Sequence, residues 1–281
     1  MNFTIGIIDY LNTQPFQYDL EERLRPLGVN FRRGVPTALN QALLAGEIDL
    51  APISAVFAAQ HAGEFAILPG HSIASLGAVR TVLLFSWRPD IRELDGQTIV
   101  LTEESATSIA LLKALCRERY RIASQYVVRP PHLPTMMQEG AAALLIGDAA
   151  LVEGSLHREL TRDAFSYGRP TIFDLGDEWL KLTGRPFVFA LWAVRRDSVE
   201  ALRQLGVAEA LAASKAAGLA HLEEIAAAYA PSLALPAGVC LRYLRDLRYD
   251  LTDNDRQGLV TFLKMVLPDF APDDLSFLVE G

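Results

Sequence analysis

Cysteine is nearly absent. Cys116 and Cys240 stand far apart in a chain of 281 residues, so there is neither a disulfide framework nor a thiolate cluster for a metal. A basic surplus is missing too. Lysine and arginine number 26 against 34 aspartates and glutamates, a net charge of -8, which leaves no electrostatic footprint for nucleic acid or an anionic membrane. Apolar runs break before the ~18 residues of a membrane span. The opening MNFTIGIIDYLN has no basic n-region and no small-residue cleavage site, which points to a cytoplasmic protein. The five histidines, His61, His71, His132, His157 and His221, include no pair at metal-ligand spacing. With no Walker A, Rossmann fingerprint, nucleophile elbow or Cys-His pattern, nucleotide, flavin and acyl-enzyme chemistry are disfavoured.

What is present is a core-forming composition: 51% apolar and 21% charged residues, long enough for about two domains. Strand and helix signals alternate. Residues 3–8 form a short apolar run, Asn12 or Thr13 can cap a helix with Pro15 in its first turn, Val29–Arg32 reads as a strand, and Pro36–Leu44 as a helix stopped by Gly46 before strand Ile48–Ile53. Residues 88–186 repeat the rhythm, with strands near 98–101, 126–128 and 143–146. The repeat goes deeper: Gly46 is followed eight positions on by Ser54, and Gly140 eight positions on by Asp148. Each half thus places a polar residue at the carboxyl end of an equivalent strand, where open α/β sheets bind ligands.

Two long strand-like runs, Gly77–Trp87 and Pro186–Val194, look like crossings between lobes. Beyond Asp197 the pattern is helical (198–204, 206–229, 237–248 and 253–267), with no strand of its own. The fold class expected is α/β of the type II periplasmic-binding-protein kind: two α/β lobes joined by two extended crossings, with the C-terminal helices on the first lobe. Residues 1–87 with 195–281 form the first lobe and 88–194 the second.

The candidate site residues lie at strand-to-helix handovers. Asn12 and Thr13 follow the first strand, where backbone N–H groups converge, although either could be a plain N-cap. Ser105, Thr107 and Ser108 open a helix in the second lobe, and Gly147-Asp148 ends a strand there. Such helix starts, one from each lobe, could clamp two carboxylates. Thr81 lies on the first extended run; if it faces the ligand, Arg80 faces away.

Taken together, Tyr10-Leu11-Asn12-Thr13-Gln14-Pro15-Phe16, Ser105-Ala106-Thr107-Ser108, Leu145–Leu151, Asp174–Trp179 and Thr183–Trp192 resemble the chorismate dehydratase family, the first enzymes of the futalosine route to menaquinone. The resemblance implies no metal or organic cofactor, chorismate as the small-molecule partner, and its dehydration to 3-[(1-carboxyvinyl)oxy]benzoate. It implies catalytic roles for Asn12 and for Thr81, which stands where the family usually has Ser. Thr13, Ser54, Ser105, Thr107, Ser108, Gly147 and Asp148 are the expected substrate-binding set. Ala106 departs from the family's common Arg, so carboxylate binding leans on N–H groups and hydroxyls. The alternatives are 1,4-dihydroxy-6-naphthoate synthase of the same pathway, disfavoured by DYLNTQP at 9–15, and a non-catalytic solute receptor, disfavoured by the absent signal peptide.

Overall fold

The computed structural model describes residues 3–159 and 169–278. Contacts divide the chain into two units, one made of Met1–Ala74 with Val188–Gly281 and the other of Ser75–Phe187. Eleven strands are present among the described residues: β1 (Thr4–Ile7), β2 (Asn30–Arg33), β3 (Leu50–Ser54), β4 (Phe65–Ser75), β5 (Val82–Ser86), β6 (Thr98–Thr102), β7 (Gln125–Arg129), β8 (Ala142–Ile146), β9 (Thr171–Asp174), β10 (Phe187–Arg195) and β11 (Leu247–Arg248).

The first unit carries a six-stranded sheet in the order β11-β4-β10-β3-β1-β2, and the second a five-stranded sheet in the order β7-β6-β8-β5-β9. The two sheets follow one plan. In the first, β1 pairs in parallel with β2 and β3, and β10 lies antiparallel on β3; in the second, β6 pairs in parallel with β7 and β8, and β5 lies antiparallel on β8. The central strands β3, β5 and β8 are buried along their whole length and read as continuous apolar runs, whereas the edge strands β2 and β7 are mostly exposed and carry Arg32, Arg33, Gln125 and Arg129.

This pairing corrects the two expected crossings. The extended residues of Gly77–Trp87 form β5, which sits wholly in the second unit's sheet, and Pro186–Val194 falls mainly in β10, which fills out the first unit's sheet. The chain therefore passes between units at 74/75 and 187/188, earlier than the boundaries 87 and 195 read from the sequence, and Thr81 belongs to the second unit. The C-terminal segment belongs to the first unit. It does contribute β11, and Phe277 forms an isolated parallel bridge with Ile67, so it is not strandless. The single helix expected over 206–229 is two, Val207–Ala220 and Leu222–Leu233, broken at His221, whose ring stacks on Tyr18 at 4.9 Å. The last long helix, Asp253–Val266, starts on the capping box that Thr252 and Asp255 form.

Candidate active site

In each sheet the chain leaves two neighbouring parallel strands in opposite directions, which opens a crevice at their carboxyl ends. In the first unit that point lies between β1 and β3; in the second, between β6 and β8. The sequence-derived residues collect at these two edges.

After β1 the chain enters a 3-10 turn, Leu11–Thr13, and then the short helix Gln14–Gln17. Thr13 is buried and its hydroxyl serves the turn: it donates to the carbonyl of Ile8 (2.6 Å), lies 2.8 Å from that of Tyr10, and accepts from Gln17 Nε2 (2.8 Å). Gln17 Nε2 also donates to Ile8 O at 2.9 Å, so this glutamine, absent from the sequence-derived set, ties the turn together. Its spacing of four from Thr13 on a helix was the available signal. Asn12 precedes Thr13 in the same turn. It is half-buried, and its amide oxygen is buried with no hydrogen-bond partner among the described residues. Leaving a buried acceptor unmet costs about 1–3 kcal/mol, so this oxygen is open to a hydrogen-bond donor beyond the described residues. Ser54 ends β3, buried, opposite Ala190 of β10, and its hydroxyl accepts from Asn40 Nδ2 at 3.4 Å.

In the second unit the edge is assembled from three strands. Thr81 precedes β5, whose antiparallel register pairs Val82 with Ile146, and Gly147 N donates to the Thr81 carbonyl at 2.9 Å. Gly147 takes φ +63°, a left-handed conformation that favours glycine, and this lets strand β8 turn directly into the helix Gly147–Glu159. Asp148, half-buried, occupies the first turn of that helix. Across β6, Ser105 caps the helix Ala106–Leu115: its Oγ accepts from Ser108 N (3.1 Å) and donates to Ser108 Oγ (3.0 Å). Thr107 and Ser108 are buried, and Ala106 is exposed. Thus Ser105 fills the N-cap role that its position allows.

Phe16, fully buried behind the Asn12 turn, packs on His71, Trp192 and Tyr249 with ring centroids 6.0, 5.3 and 5.8 Å away. His71 Nδ1 lies 2.6 Å from the Pro69 carbonyl, which can only accept, so Nδ1 carries the proton and the buried Nε2 carries none and has no partner among the described residues. Burial holds the His71 ring neutral, its pKa pushed down to about 4. An unfolded chain protonates this ring near 6.5, so the stability it contributes is whole above that pH and is lost as the pH falls toward 4. Between pH 7 and pH 5 the chain should lose roughly 2 kcal/mol on this account. Urea titrations at the two pH values check it: His71→Gln should flatten the dependence by that amount, and an unchanged slope would refute the assignment.

No helix among the described residues is long and apolar enough to cross a membrane, and no cluster of three or more His, Cys, Asp or Glu among them could hold a metal ion. A family model described as menaquinone biosynthesis matches residues 3–267. Over 279 residues the chain is 34% identical to a chorismate dehydratase from Thermus thermophilus, covering 96% of this chain and 97% of the relative. Among solved structures, an Archaeoglobus fulgidus protein superposes with a TM-score of 0.71 at 19% identity, covering 94% of this chain and 96% of its own. The periplasmic aliphatic sulphonate binding protein SsuA from Escherichia coli superposes at 0.65 and 17% identity, covering 100% and 94%. At those identities the structural likeness speaks for the fold, which is that of the periplasmic binding proteins.

Proposed function

The chain belongs to the menaquinone biosynthesis family, and on that footing we propose that it is a chorismate dehydratase, a hydro-lyase converting chorismate to 3-[(1-carboxyvinyl)oxy]benzoate and water. The reaction takes a proton from the ether-bearing ring carbon and hydroxide from the neighbouring carbon. The electrons of the broken C–H bond become a ring double bond, and aromatisation supplies much of the driving force. The protein then has to hold the diene ring in one conformation, place a proton acceptor and help hydroxide depart.

The observation that carries the catalytic reading is the buried amide oxygen of Asn12, which has no hydrogen-bond partner among the described residues. Both carboxyl groups of chorismate are ionised at neutral pH and can only accept, so the ring hydroxyl is the substrate's donor. Asn12 accepts from it and sets the orientation of the leaving group. Thr81 donates from its hydroxyl to the departing oxygen. A carboxylate of the substrate takes the carbon proton. Ser54, Gly147 and the helix start at Ser105–Ser108 bind the substrate, the carboxylates resting on N–H groups and hydroxyls because Ala106 supplies no charge. Asp148 orients the substrate and does not abstract the proton.

Incubating the purified protein with chorismate and following the mixture by mass spectrometry tests the activity. A product lighter by one water is expected, and chorismate bound but unchanged would make the protein a receptor. For Asp148→Asn, turnover should stay within about tenfold of the unsubstituted chain, the scale of a lost orienting contact. Complete loss with chorismate affinity intact would instead make Asp148 the base.

A further inference from the structure

The buried carboxylate of Asp174 is satisfied by backbone N–H groups. One oxygen accepts from Val79 N (3.0 Å) and Gly176 N (3.0 Å), the other from Arg80 N (2.7 Å). The residue is 8% exposed, and Asp174 also caps the helix Leu175–Thr183. A cap needs only the bond from Gly176; the other two reach across the sheet to the residues just before Thr81.

Those residues need holding. Arg80 has φ +64°, in the left-handed region where a side chain with a Cβ is disfavoured, and Gly77 has φ +91°. The helix start also presses on this segment: a Cβ at Gly176 would lie 2.3 Å from the Gly77 carbonyl, so only glycine permits the approach. Thr81 Oγ1 lies 3.4 Å from the carbonyl of Val79, whose own N–H is one of those Asp174 binds. Register completes the arrangement, because Asp174 of β9 stands opposite Leu83 of β5. We propose that Asp174 is a positioning residue that forces Arg80 into its left-handed turn and thereby sets the hydroxyl of Thr81 for the reaction. This rests on the reading of Thr81 as the group that assists the leaving hydroxyl.

The test uses four full-length variants, Asp174→Asn, Arg80→Gly, Arg80→Val and Asp174→Asn with Arg80→Gly, each assayed for kcat and KM with chorismate and for amide exchange at 79–81. Asn at 174 keeps one acceptor but turns an N–H toward a backbone N–H, so kcat should fall on the order of tenfold to a hundredfold with KM little changed, as a small misplacement of a reacting group does. Exchange at Val79 and Arg80 should quicken. Glycine at 80 adopts the left-handed turn freely. Adding it should therefore restore kcat to within about threefold of the starting enzyme, an outcome that a mere helix cap at Asp174 could not produce. Should Asp174→Asn not fold, the Arg80 pair decides alone: Arg80→Val should lower kcat and Arg80→Gly should not, since both lack the guanidinium and differ in their tolerance of positive φ. Equal activity of those two variants, or no rescue in the double variant, overturns the proposal. If the unsubstituted protein leaves chorismate intact, the activity reading fails, while quickened exchange at 79–81 would still show the clamp on the turn.

Discussion

Asn12→Ala is expected to lower kcat by on the order of 10²-fold to 10³-fold while the affinity for chorismate changes little, the range seen when one preorganised polar contact to a reacting group is removed. The expectation follows from the state of the amide oxygen, which is buried and has no hydrogen-bond partner among the described residues. Stability should move the other way. Replacing an unmet buried acceptor by an apolar group of similar size removes a desolvation penalty, so Asn12→Leu should match or exceed the original chain in Tm while being inactive. Steady-state kinetics with thermal unfolding of both variants checks the pair of statements. An Asn12→Leu protein that loses several degrees in Tm, or keeps its turnover, would show that the amide serves the fold and not the substrate.

Gly218→Ala is expected to destabilise the chain by about 3 kcal/mol, the upper part of the range for overpacking, and to impair turnover from a position that touches no substrate. Helix Val207–Ala220 lies against the short helix Gln14–Gln17 so closely that a Cβ at Gly218 would be 2.2 Å from the Pro15 carbonyl oxygen, 2.6 Å from its Cα and 2.8 Å from its carbonyl carbon. All three atoms are backbone and cannot rotate aside. Alanine would gain about 1 kcal/mol in helix propensity over glycine, which the clash exceeds. The helix it pushes begins two residues after Asn12, and the Tyr229 hydroxyl braces the same stretch by donating to the Asp9 carbonyl at 2.6 Å. Urea unfolding gives the stability and assays below the transition give kcat; a Gly218→Ala chain as stable and as active as the original would mean that the two helices part without consequence.

Where the controlling interactions are local, the sequence alone was sufficient. The alternation of apolar strands with capped helices, the offset that put Ser54 and Asp148 at or just past equivalent strand ends, and the capping-box spacing of Thr252 and Asp255 depend on neighbours a few residues away. The family motif around Asn12 was legible for the same reason, being a contiguous strand-to-helix handover. Tertiary structure alone decided the rest. β5 and β10 are both apolar runs, and nothing within either says which sheet it will join; that depends on the free edges of β8 and β3, far off in sequence. The same holds for the Asn12 turn, shaped from within by Thr13 and Gln17 but pressed into place by Gly218 and Tyr229. Asp174 likewise stands in the sequence only as part of a motif, until β9 pairs with β5 and brings Val79 and Arg80 to its carboxylate. Backbone hydrogen bonds between distant strands and the close approach of two helices leave no periodic trace in the residues that make them, so only the folded chain shows which groups they hold.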